Sequence, residues 1–412
     1  MLIKARLPLV KEVAVEVKEG EKIRDLKRKV CGELAIPEEF TRLLLDGEPL
    51  PEESRIKDFD LESKPVTVDY LWARHIPLWG GEAQEALRAS SVLLVGAGAL
   101  GNEVAKNLAM LGVGKLTIVD YDGVELSNLS RSVFFEEGDV GEPKALVLGR
   151  RLKAKYPHLE VEAYVGRVED LPLGAFLELD AIISGVDNLA ARVFLATVSS
   201  RYGIPLVDGG MDGPKGRVQV FLPPDWPCPA CVIPPSEYGR LVGLRNPCSA
   251  PNDQGTVPSL PTVISLVSSI QAQEAAKILV GKVKKGAGGS PLKGILLIDV
   301  KFNRYTVLEA KKNPNCIVCG KDGLGRDKVE RLEIPIAECH DSISELIKLA
   351  SAKANVQEPH EVLAFAEEGG RAVKLPGYGR LSARGLKPGA ALRLIFKNLK
   401  QEDYKEAVAK LV

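Results

Sequence analysis

A glycine-rich stretch near residue 100 constrains the fold more than any other feature of this 412-residue chain. Gly96-Ala97-Gly98-Ala99-Leu100-Gly101 follows an apolar segment, Ser91–Val95, which predicts a strand, and it precedes a predicted helix at Asn102–Leu111. Strand and helix patterns then alternate as far as Tyr202, and this alternation predicts a mainly parallel sheet with helices on both faces. The fold class that follows is α/β, with a doubly wound sheet at its centre.

The glycine motif also predicts a nucleotide-binding site. Glycines let the backbone approach a nucleotide closely, and the N-terminus of the following helix offers unpaired N–H groups to phosphates. Asp120, about 20 residues farther on, ends the next predicted strand, Lys115–Asp120, where its carboxylate can accept a hydrogen bond from a ribose hydroxyl. These features alone fit a dinucleotide as well as ATP, so an NAD-dependent oxidoreductase stays open at this point.

Three further segments carry a more specific signal. Asp120–Arg131 (DYDGVELSNLSR), Asp139–Ala145 (DVGEPKA) and Val186–Asn188 (VDN) resemble the signature of the ubiquitin-activating enzyme superfamily, in its compact archaeal-type form. That superfamily also contains the bacterial sulfur-carrier adenylyltransferases of molybdopterin and thiamine synthesis. The resemblance covers roughly residues 74–281. It implies a Rossmann-like adenylation domain that uses ATP to activate the C-terminus of a ubiquitin-like modifier protein.

The resemblance assigns roles to residues in these segments. Asp120 would bond the ribose, Asn128 and Arg131 would contact the phosphates, and Lys144 would bridge the phosphates. Asp187 would hold Mg²⁺, and cations around the triphosphate suit a reaction in which pyrophosphate leaves. Taken singly, Lys144 would be a solvated helix residue and Asp187-Asn188 a helix cap. The predicted nucleotide-binding set is Gly96, Gly98, Ala99, Gly101, Asp120, Asp122, Asn128, Arg131, Lys144, Asp187 and Asn188.

An arginine upstream of the glycine motif extends the resemblance. Arg74, in Trp72-Ala73-Arg74-His75-Ile76, matches the arginine that superfamily members extend across a dimer interface to the ATP of the partner. His75 stands where the family more often has Gln, and the arginine itself is intact. Because one chain carries both this arginine and the phosphate loop, we expect a homodimer. The predicted catalytic residues are Arg74, Arg131, Lys144 and, as argued below, Cys248.

Four of the seven cysteines form two Cys-x-x-Cys pairs, Cys228 with Cys231 and Cys316 with Cys319. Two such thiolate pairs can build a closed, tetrahedral zinc site. The superfamily binds zinc across the same long helix and hairpin that separate these pairs. A redox Cys-x-x-Cys, which would need a thioredoxin-like neighbourhood, and two unrelated reduced pairs are the alternatives. We predict structural Zn²⁺.

The remaining cysteines are Cys31, Cys248 and Cys339. Cys248 alone lies in the Pro-rich crossover segment, where thioester-forming members of the superfamily carry their nucleophile. Val257–Thr262 (VPSLPT) resembles the segment that directly follows that nucleophile in compact activators, but here Thr256 stands in its place and Cys248 lies eight residues earlier. We predict that Cys248 accepts the acyl group, because a thiolate attacks an acyl-adenylate readily. The alternatives are a loop cysteine without a role and Cys339, beside His340, as the nucleophile.

Two smaller domains flank the adenylation domain, which we assign to residues 71–326. Residues 1–70 have the hairpin, helix and strand order of a β-grasp, and 42–59 resembles ubiquitin itself. No Gly-Gly tail follows, so this domain cannot be a free modifier, and autoinhibition by it is a hypothesis. Residues 327–412 also predict a β-grasp, which resembles the domain that recruits a conjugating enzyme; a generic cap is the alternative.

Composition limits the range of partners. Lys plus Arg and Asp plus Glu both number 55, so no basic surplus indicates nucleic acid. Charges and glycines interrupt the apolar runs, and the N-terminus alternates like a strand, so we expect neither a membrane span nor a signal peptide. The predicted protein is a soluble, cytoplasmic modifier-activating enzyme with ATP, Mg²⁺ and Zn²⁺. A sulfur-carrier adenylyltransferase without a thioester step and a catalytically silent scaffold are alternatives.

Overall fold

The computed structural model describes the chain in two compact units, residues 1–89 with 276–290, and residues 90–275 with 291–412. Each unit is described by itself. The described residues are 1–18, 20–171, 173–176, 178–237, 258–283, 285–286, 288–325, 330–340, 342–354, 360–368, 371–375, 386, 391–398 and 404–412.

The N-terminal sheet has the predicted β-grasp order. Its elements are β1 (Leu2–Leu7), β2 (Lys11–Glu16), α1 (Ile23–Leu34), β3 (Thr41–Leu45), β4 (Glu48–Pro49) and β5 (Val66–Tyr70). The strands lie in the order β2-β1-β5-β3-β4, with β1 and β5 parallel. The apolar stripe of α1 is buried against this sheet, as its helical spacing predicts. Asp46 and Gly47 adopt positive φ values of 55° and 89°, as an Asp-Gly hairpin turn requires.

The residues that follow β5 still pack into the core of this unit. Trp72 packs edge-on against Phe40, with ring centroids 5.1 Å apart, and Arg88 places its guanidinium 4.4 Å above the Phe40 ring. Two short helices, α2 (Ile76–Trp79) and α3 (Gly81–Arg88), complete the segment. Residues 71–89 therefore belong to the same compact unit as the β-grasp. The predicted domain boundaries at residues 70 and 326 stay predictions.

An eight-stranded sheet forms the centre of the second unit, as the strand–helix alternation predicts. Its strands are β6 (Ser91–Val95), β7 (Lys115–Asp120), β8 (Glu160–Val165), β9 (Ala181–Ser184), β10 (Leu206–Asp212), β11 (Lys215–Phe221), β12 (Ile295–Asp299) and β13 (Arg304–Leu308). The associated helices are α4 (Ala99–Leu111), α5 (Lys144–Lys155), α6 (Leu189–Tyr202) and α7 (Pro261–Gly281).

The strand order, β13-β12-β11-β10-β9-β6-β7-β8, places a topological switch beside β6. After β6 the chain builds outward through β7 and β8, and it then returns to the other side of β6 to form β9. All pairings from β8 to β10 are parallel, and those from β10 to β13 are antiparallel. In an open sheet of this kind, ligands bind outside the carboxyl ends of the strands at the switch point.

Among the described residues, α7 is the one helix long and apolar enough to span a membrane by length and composition. Two thirds of its most apolar window, 67%, is buried inside the protein, as in the core helix of a globular domain. Its N-terminal half packs closely on β10 and β11. A Cβ at Gly216 would lie 2.4 Å from Val267, and one at Gly209 would lie 2.2 Å from Gln271.

The C-terminal sheet contains β14 (Glu330–Ile334), β15 (His360–Glu368), β16 (Arg371–Lys374), β17 (Ala391–Asn398) and β18 (Tyr404–Leu411), together with helix α8 (Ile343–Lys353). As in the N-terminal sheet, the first and last strands are parallel neighbours and one helix covers the sheet. The order β14-β18-β17-β15-β16 differs from that of the first sheet, because among the described residues α8 rather than a second strand follows β14, and β17 lies between β18 and β15.

Gly101 provides a test of how tightly the central sheet and α4 must pack. A Cβ there would lie 1.9 Å from the carbonyl oxygen of Gly96, so we expect Gly101→Ala to destabilise the fold. An overlap with backbone costs at least about 2 kcal/mol, which corresponds to a fall of roughly 3 °C or more in melting temperature for a unit of about 300 residues. Gly98→Ala is the matched control, because a Cβ at Gly98 meets nothing within 4 Å. Equal melting temperatures for the two variants would contradict this packing.

Candidate nucleotide and metal sites

A cavity of about 530 Å³ opens at the carboxyl ends of β6, β7 and β9, at the switch point of the sheet. Every member of the predicted nucleotide-binding set except Gly101 lines it. Its lining residues are Val95, Gly96, Gly98, Ala99, Leu100, Val119, Asp120, Tyr121, Asp122, Asn128, Arg131, Lys144, Gly166, Arg167, Val168, Gly185, Val186, Asp187, Asn188, Arg192, Gly210, Met211 and Ser259.

The glycine loop forms one wall of the cavity. Gly96 adopts a φ of 95°, and a Cβ on it would approach the carbonyl oxygen of Gly185 to 2.9 Å, so only glycine fits there. Gly101 does not line the cavity. Glycine is required at this position because α4 crosses the loop there at close range. The first turn of α4 leaves N–H groups without intrahelical partners at the cavity, and its dipole favours an anion there. This end of the cavity suits phosphate.

Asp120 lies at the end of β7, where the sequence predicts it. Its Oδ2 accepts a 2.6 Å hydrogen bond from the N–H of Ala97, and its Oδ1 accepts a 2.7 Å bond from the N–H of Asp122. Burial raises the pKa of this carboxyl, opposed by the Ala97 N–H and by the positive charge of Lys144. The charged form, which accepts from a ribose, is therefore lost at a higher pH during acidification than for an exposed aspartate.

Three predicted phosphate ligands line the cavity from the segment between β7 and the first residue of α5. The Nζ of Lys144 lies 2.9 Å from Oδ2 of Asp122, and the Lys144 side chain is only 12% exposed. The interpretation of Lys144 as a solvated helix residue is therefore wrong. Arg131 donates a 2.8 Å hydrogen bond to the carbonyl oxygen of Ser127. Asn128 is buried, and its Oδ1 accepts from the N–H of Glu125 at 3.0 Å, which shapes this loop.

Asp187 and Asn188 have different surroundings. Oδ1 of Asn188 accepts a 2.8 Å hydrogen bond from the N–H of Ala191, so the helix-cap interpretation is confirmed for Asn188. Asp187 is exposed at the cavity and is the acidic side chain available there for Mg²⁺. Carboxylate oxygen is a ligand type that Mg²⁺ prefers, so the donor fits the predicted ion.

A buried ion cluster that was not predicted from the sequence lies at the cavity wall, and Arg192 is the member that lines the cavity. Asp208 is 1% exposed and lies between Arg192, at 2.5 Å, and Arg217, at 2.9 Å. Arg192 also donates to the carbonyl oxygens of Val186, at 2.6 Å, and Gly209, at 2.8 Å. Two arginines and one aspartate leave a positive surplus at a wall that faces an anion site. An arginine in the otherwise apolar first half of helix α6 is the signal that could have revealed it.

The four paired cysteines converge, although Cys231 and Cys316 are far apart in the sequence. The sulfur atoms of Cys228 and Cys316 lie 3.5 Å apart, and those of Cys231 and Cys319 lie 3.4 Å apart. All four ligand atoms lie within 4.8 Å of one another. Four sulfurs about 2.3 Å from a zinc ion would be about 3.8 Å apart at tetrahedral angles. The cluster therefore fits zinc, and a pair of separate Cys-x-x-Cys sites does not describe it.

The other cysteines differ from this cluster. Cys31 and Cys339 are buried, and burial raises the pKa of both thiols, so neither is an exposed thiolate. Cys248, the predicted nucleophile, lies outside the described residues. Arg74 belongs to the first unit; it is exposed between Trp72 and Ile76, both of which are buried in the core of that unit. Its predicted role across a dimer interface stays a prediction.

Comparisons with known proteins match the N-terminal β-grasp and the central part of the chain separately. The family model described as ThiF matches residues 72–318, and the one described as ubiquitin-2 like Rad60 SUMO-like matches residues 2–67. The chain is 36% identical to the sulfur carrier protein adenylyltransferase of Thermus thermophilus over 263 residues, which cover 62% of this chain and 91% of that protein. It is 34% identical to the SAMP-activating enzyme E1 of Haloferax volcanii, over 64% of this chain and 92% of that one.

The same core is found among solved structures. Escherichia coli MccB, crystallised with MccA-N7isoASN, superposes with a TM-score of 0.50 over 61% of this chain and 73% of its own, at 19% identity. At that identity the match establishes a shared fold.

The cysteine cluster predicts a stoichiometric metal. We expect the purified chain to hold one zinc ion, measured by atomic emission, and Cys316→Ser to lose it. Loss of a structural zinc removes a large part of the stability it supplies, so the melting temperature should fall by roughly 10 °C or more. Cys339→Ser is the control, because Cys339 lies in the C-terminal core and should keep the metal. Full zinc content in Cys316→Ser would contradict the assignment.

Proposed function

This chain belongs to the ThiF family, and on that premise we propose that it activates the C-terminal carboxylate of a ubiquitin-like modifier, by adenylation followed by transfer to Cys248. The coarser part is plain: the protein is an adenylyltransferase for a ubiquitin-like or sulfur-carrier protein. The observation that carries the proposal is the cavity itself. It combines a helix N-terminus, the ribose acceptor Asp120 and the cations Arg131 and Lys144 in one place.

These residues suit adenylation. A carboxylate oxygen of the modifier attacks the α-phosphorus of ATP, the bond to the β-phosphate oxygen breaks, and pyrophosphate leaves with the bonding electrons. Negative charge moves onto the leaving group, and Arg131 and Lys144, which both line the cavity, would neutralise it. Asp187 would hold Mg²⁺, which when bound supplies further neutralisation of the pyrophosphate. An NAD-dependent oxidoreductase would leave both cations without a task.

The later steps are the finer part of the proposal. The Cys248 thiolate would attack the acyl-adenylate carbonyl, AMP would leave, and a thioester would remain. The C-terminal domain would then recruit a conjugating enzyme. Similarity to the Haloferax activating enzyme supports this form, whereas similarity to the Thermus sulfur-carrier enzyme supports an equally good alternative that stops at the acyl-adenylate.

A homodimer is part of the proposal as well. Arg74 would complete the site of a partner subunit, because superfamily members use the matching arginine in that way. The support is its exposure on a fixed segment: the N–H of His75 bonds the carbonyl oxygen of Trp72 at 2.9 Å, and Gln84 contacts His75 and Trp79 at 3.3 Å and 3.1 Å. An exposed arginine on a rigid segment can be positioned in a partner's site more accurately than an arginine on a mobile segment.

The proposal is tested by mixing the chain with Mg²⁺, ATP and candidate carriers, including the Thermus sulfur carrier protein. We expect carrier-dependent release of pyrophosphate, reduced by about 100-fold or more in Lys144→Ala, because one phosphate-binding cation contributes several kcal/mol in the transition state. Lys153→Ala is the matched control, since Lys153 is exposed in the last turn of the same helix.

A non-reducing gel separates the two forms of the function. A thiol-sensitive adduct that disappears in Cys248→Ala supports the thioester step. Pyrophosphate release without an adduct supports the sulfur-carrier form, and an adduct that persists in Cys248→Ala removes the assignment of that residue. No carrier-dependent pyrophosphate with any candidate would count against adenylation of these proteins.

A further inference from the structure

Asn102 is the most completely enclosed polar side chain next to the glycine loop. It lies one residue after Gly101 in α4 and is 0% exposed. Its Nδ2 donates to the carbonyl oxygen of Ala97 at 2.8 Å and to that of Gly98 at 3.1 Å. Its Oδ1 accepts a 3.1 Å hydrogen bond from the N–H of Phe134. The amide thus uses both of its N–H donors and its acceptor inside the protein.

The two donated bonds, together with the 2.9 Å bond from the backbone N–H of Asn102 to the carbonyl oxygen of Gly98, set which way the loop faces. In a trans peptide the carbonyl and the following N–H point in opposite directions. The carbonyl of Ala97 shares its peptide with the N–H of Gly98, and the carbonyl of Gly98 shares its peptide with the N–H of Ala99. Because Asn102 holds both carbonyls toward the interior, these two N–H groups face outward, and both residues line the cavity.

The accepted bond reaches a different segment of the site. Phe134 follows Arg131 by three residues, and both belong to the chain between β7 and α5. Phe134 is itself buried, so its N–H needs a partner inside the protein. One side chain is therefore bonded to the phosphate loop and to the segment that carries a predicted phosphate ligand.

We propose that Asn102 is a positioning residue that aligns the loop N–H groups and Arg131 on the same polyphosphate. The inference rests on the proposed use of ATP. Asparagine suits the task because it offers two donors and one acceptor at a single amide. Aspartate has the same shape but would direct acceptors at two carbonyl oxygens, and leucine would satisfy none of the three groups.

The test compares the binding of ATP with that of adenosine, which lacks the phosphates, by isothermal titration calorimetry. For Asn102→Asp we expect ATP affinity to fall roughly 10- to 100-fold, because the alignment of several hydrogen bonds is lost. Adenosine affinity should stay within about threefold of the wild type. Asn107→Asp is the matched control: it makes the same change one and a half turns along α4, where the amide bonds Ser269 and not the loop.

A double-mutant cycle tests the link to Arg131. If Asn102 aligns Arg131, the loss of ATP affinity caused by Arg131→Ala should be clearly smaller in the Asn102→Asp background than in the wild type. Should Asn102→Asp fail to fold, Asn102→Ser carries the same measurements, since its hydroxyl fits the space and can still donate one hydrogen bond. It should give an intermediate loss of ATP affinity.

Several outcomes would overturn the inference. Wild-type ATP affinity in Asn102→Asp, or an equal fall for ATP and adenosine, would show that Asn102 does not act through the phosphates. Additive effects in the cycle would remove the link to Arg131. These results differ from a wild-type chain that binds no ATP, which would overturn the proposed function and this inference with it.

Discussion

The close crossing of α4 over the glycine loop is the constraint on which the rest of the site depends. Gly101 sits so near the carbonyl oxygen of Gly96 that even a methyl group is excluded. This contact brings the N-terminus of α4 directly to the end of β6, at the point where the strand order reverses. A helix dipole and unpaired N–H groups then face a cavity whose acidic and cationic side chains lie at the ends of two neighbouring strands and in the segments that follow them.

Charge is distributed around this cavity in a way that suits a triphosphate. Asp120 is held by backbone N–H groups at the end expected for a ribose, and Lys144 and Arg131 lie on the side expected for phosphates. Asp208 forms an ion pair with Arg192 at the cavity wall. Arg192 in turn donates hydrogen bonds to the carbonyl oxygens of two chain segments at the cavity. A buried arginine of this kind is stable because its charge is paired and its N–H groups are bonded.

Much of the fold and the site could be predicted because the signals were local in the sequence. Strand–helix alternation, the glycine motif and the Asp-Gly turn each reflect chemistry within a few residues. The cysteine cluster was predictable because each Cys-x-x-Cys pair brings two thiols close together by itself, and only the convergence of the two pairs required the fold. Asn102, Asp208 and Arg217 were not identified, because their residue types have no characteristic spacing and because Phe134 and Arg192, which complete the two groups, lie on other segments. The strand order of the C-terminal sheet was missed for a similar reason: it depends on long-range pairing of β14 with β18.

The central claim is that ATP, and not a dinucleotide, occupies the cavity beside Gly96. It is tested most directly by titrating the zinc-loaded chain with Mg²⁺ and ATP, and separately with NAD⁺, in a calorimeter. The account predicts saturable binding of one ATP per chain, with no competition from NAD⁺ at equal concentration. NAD⁺ binding that displaces ATP, or the absence of any ATP binding, would contradict it.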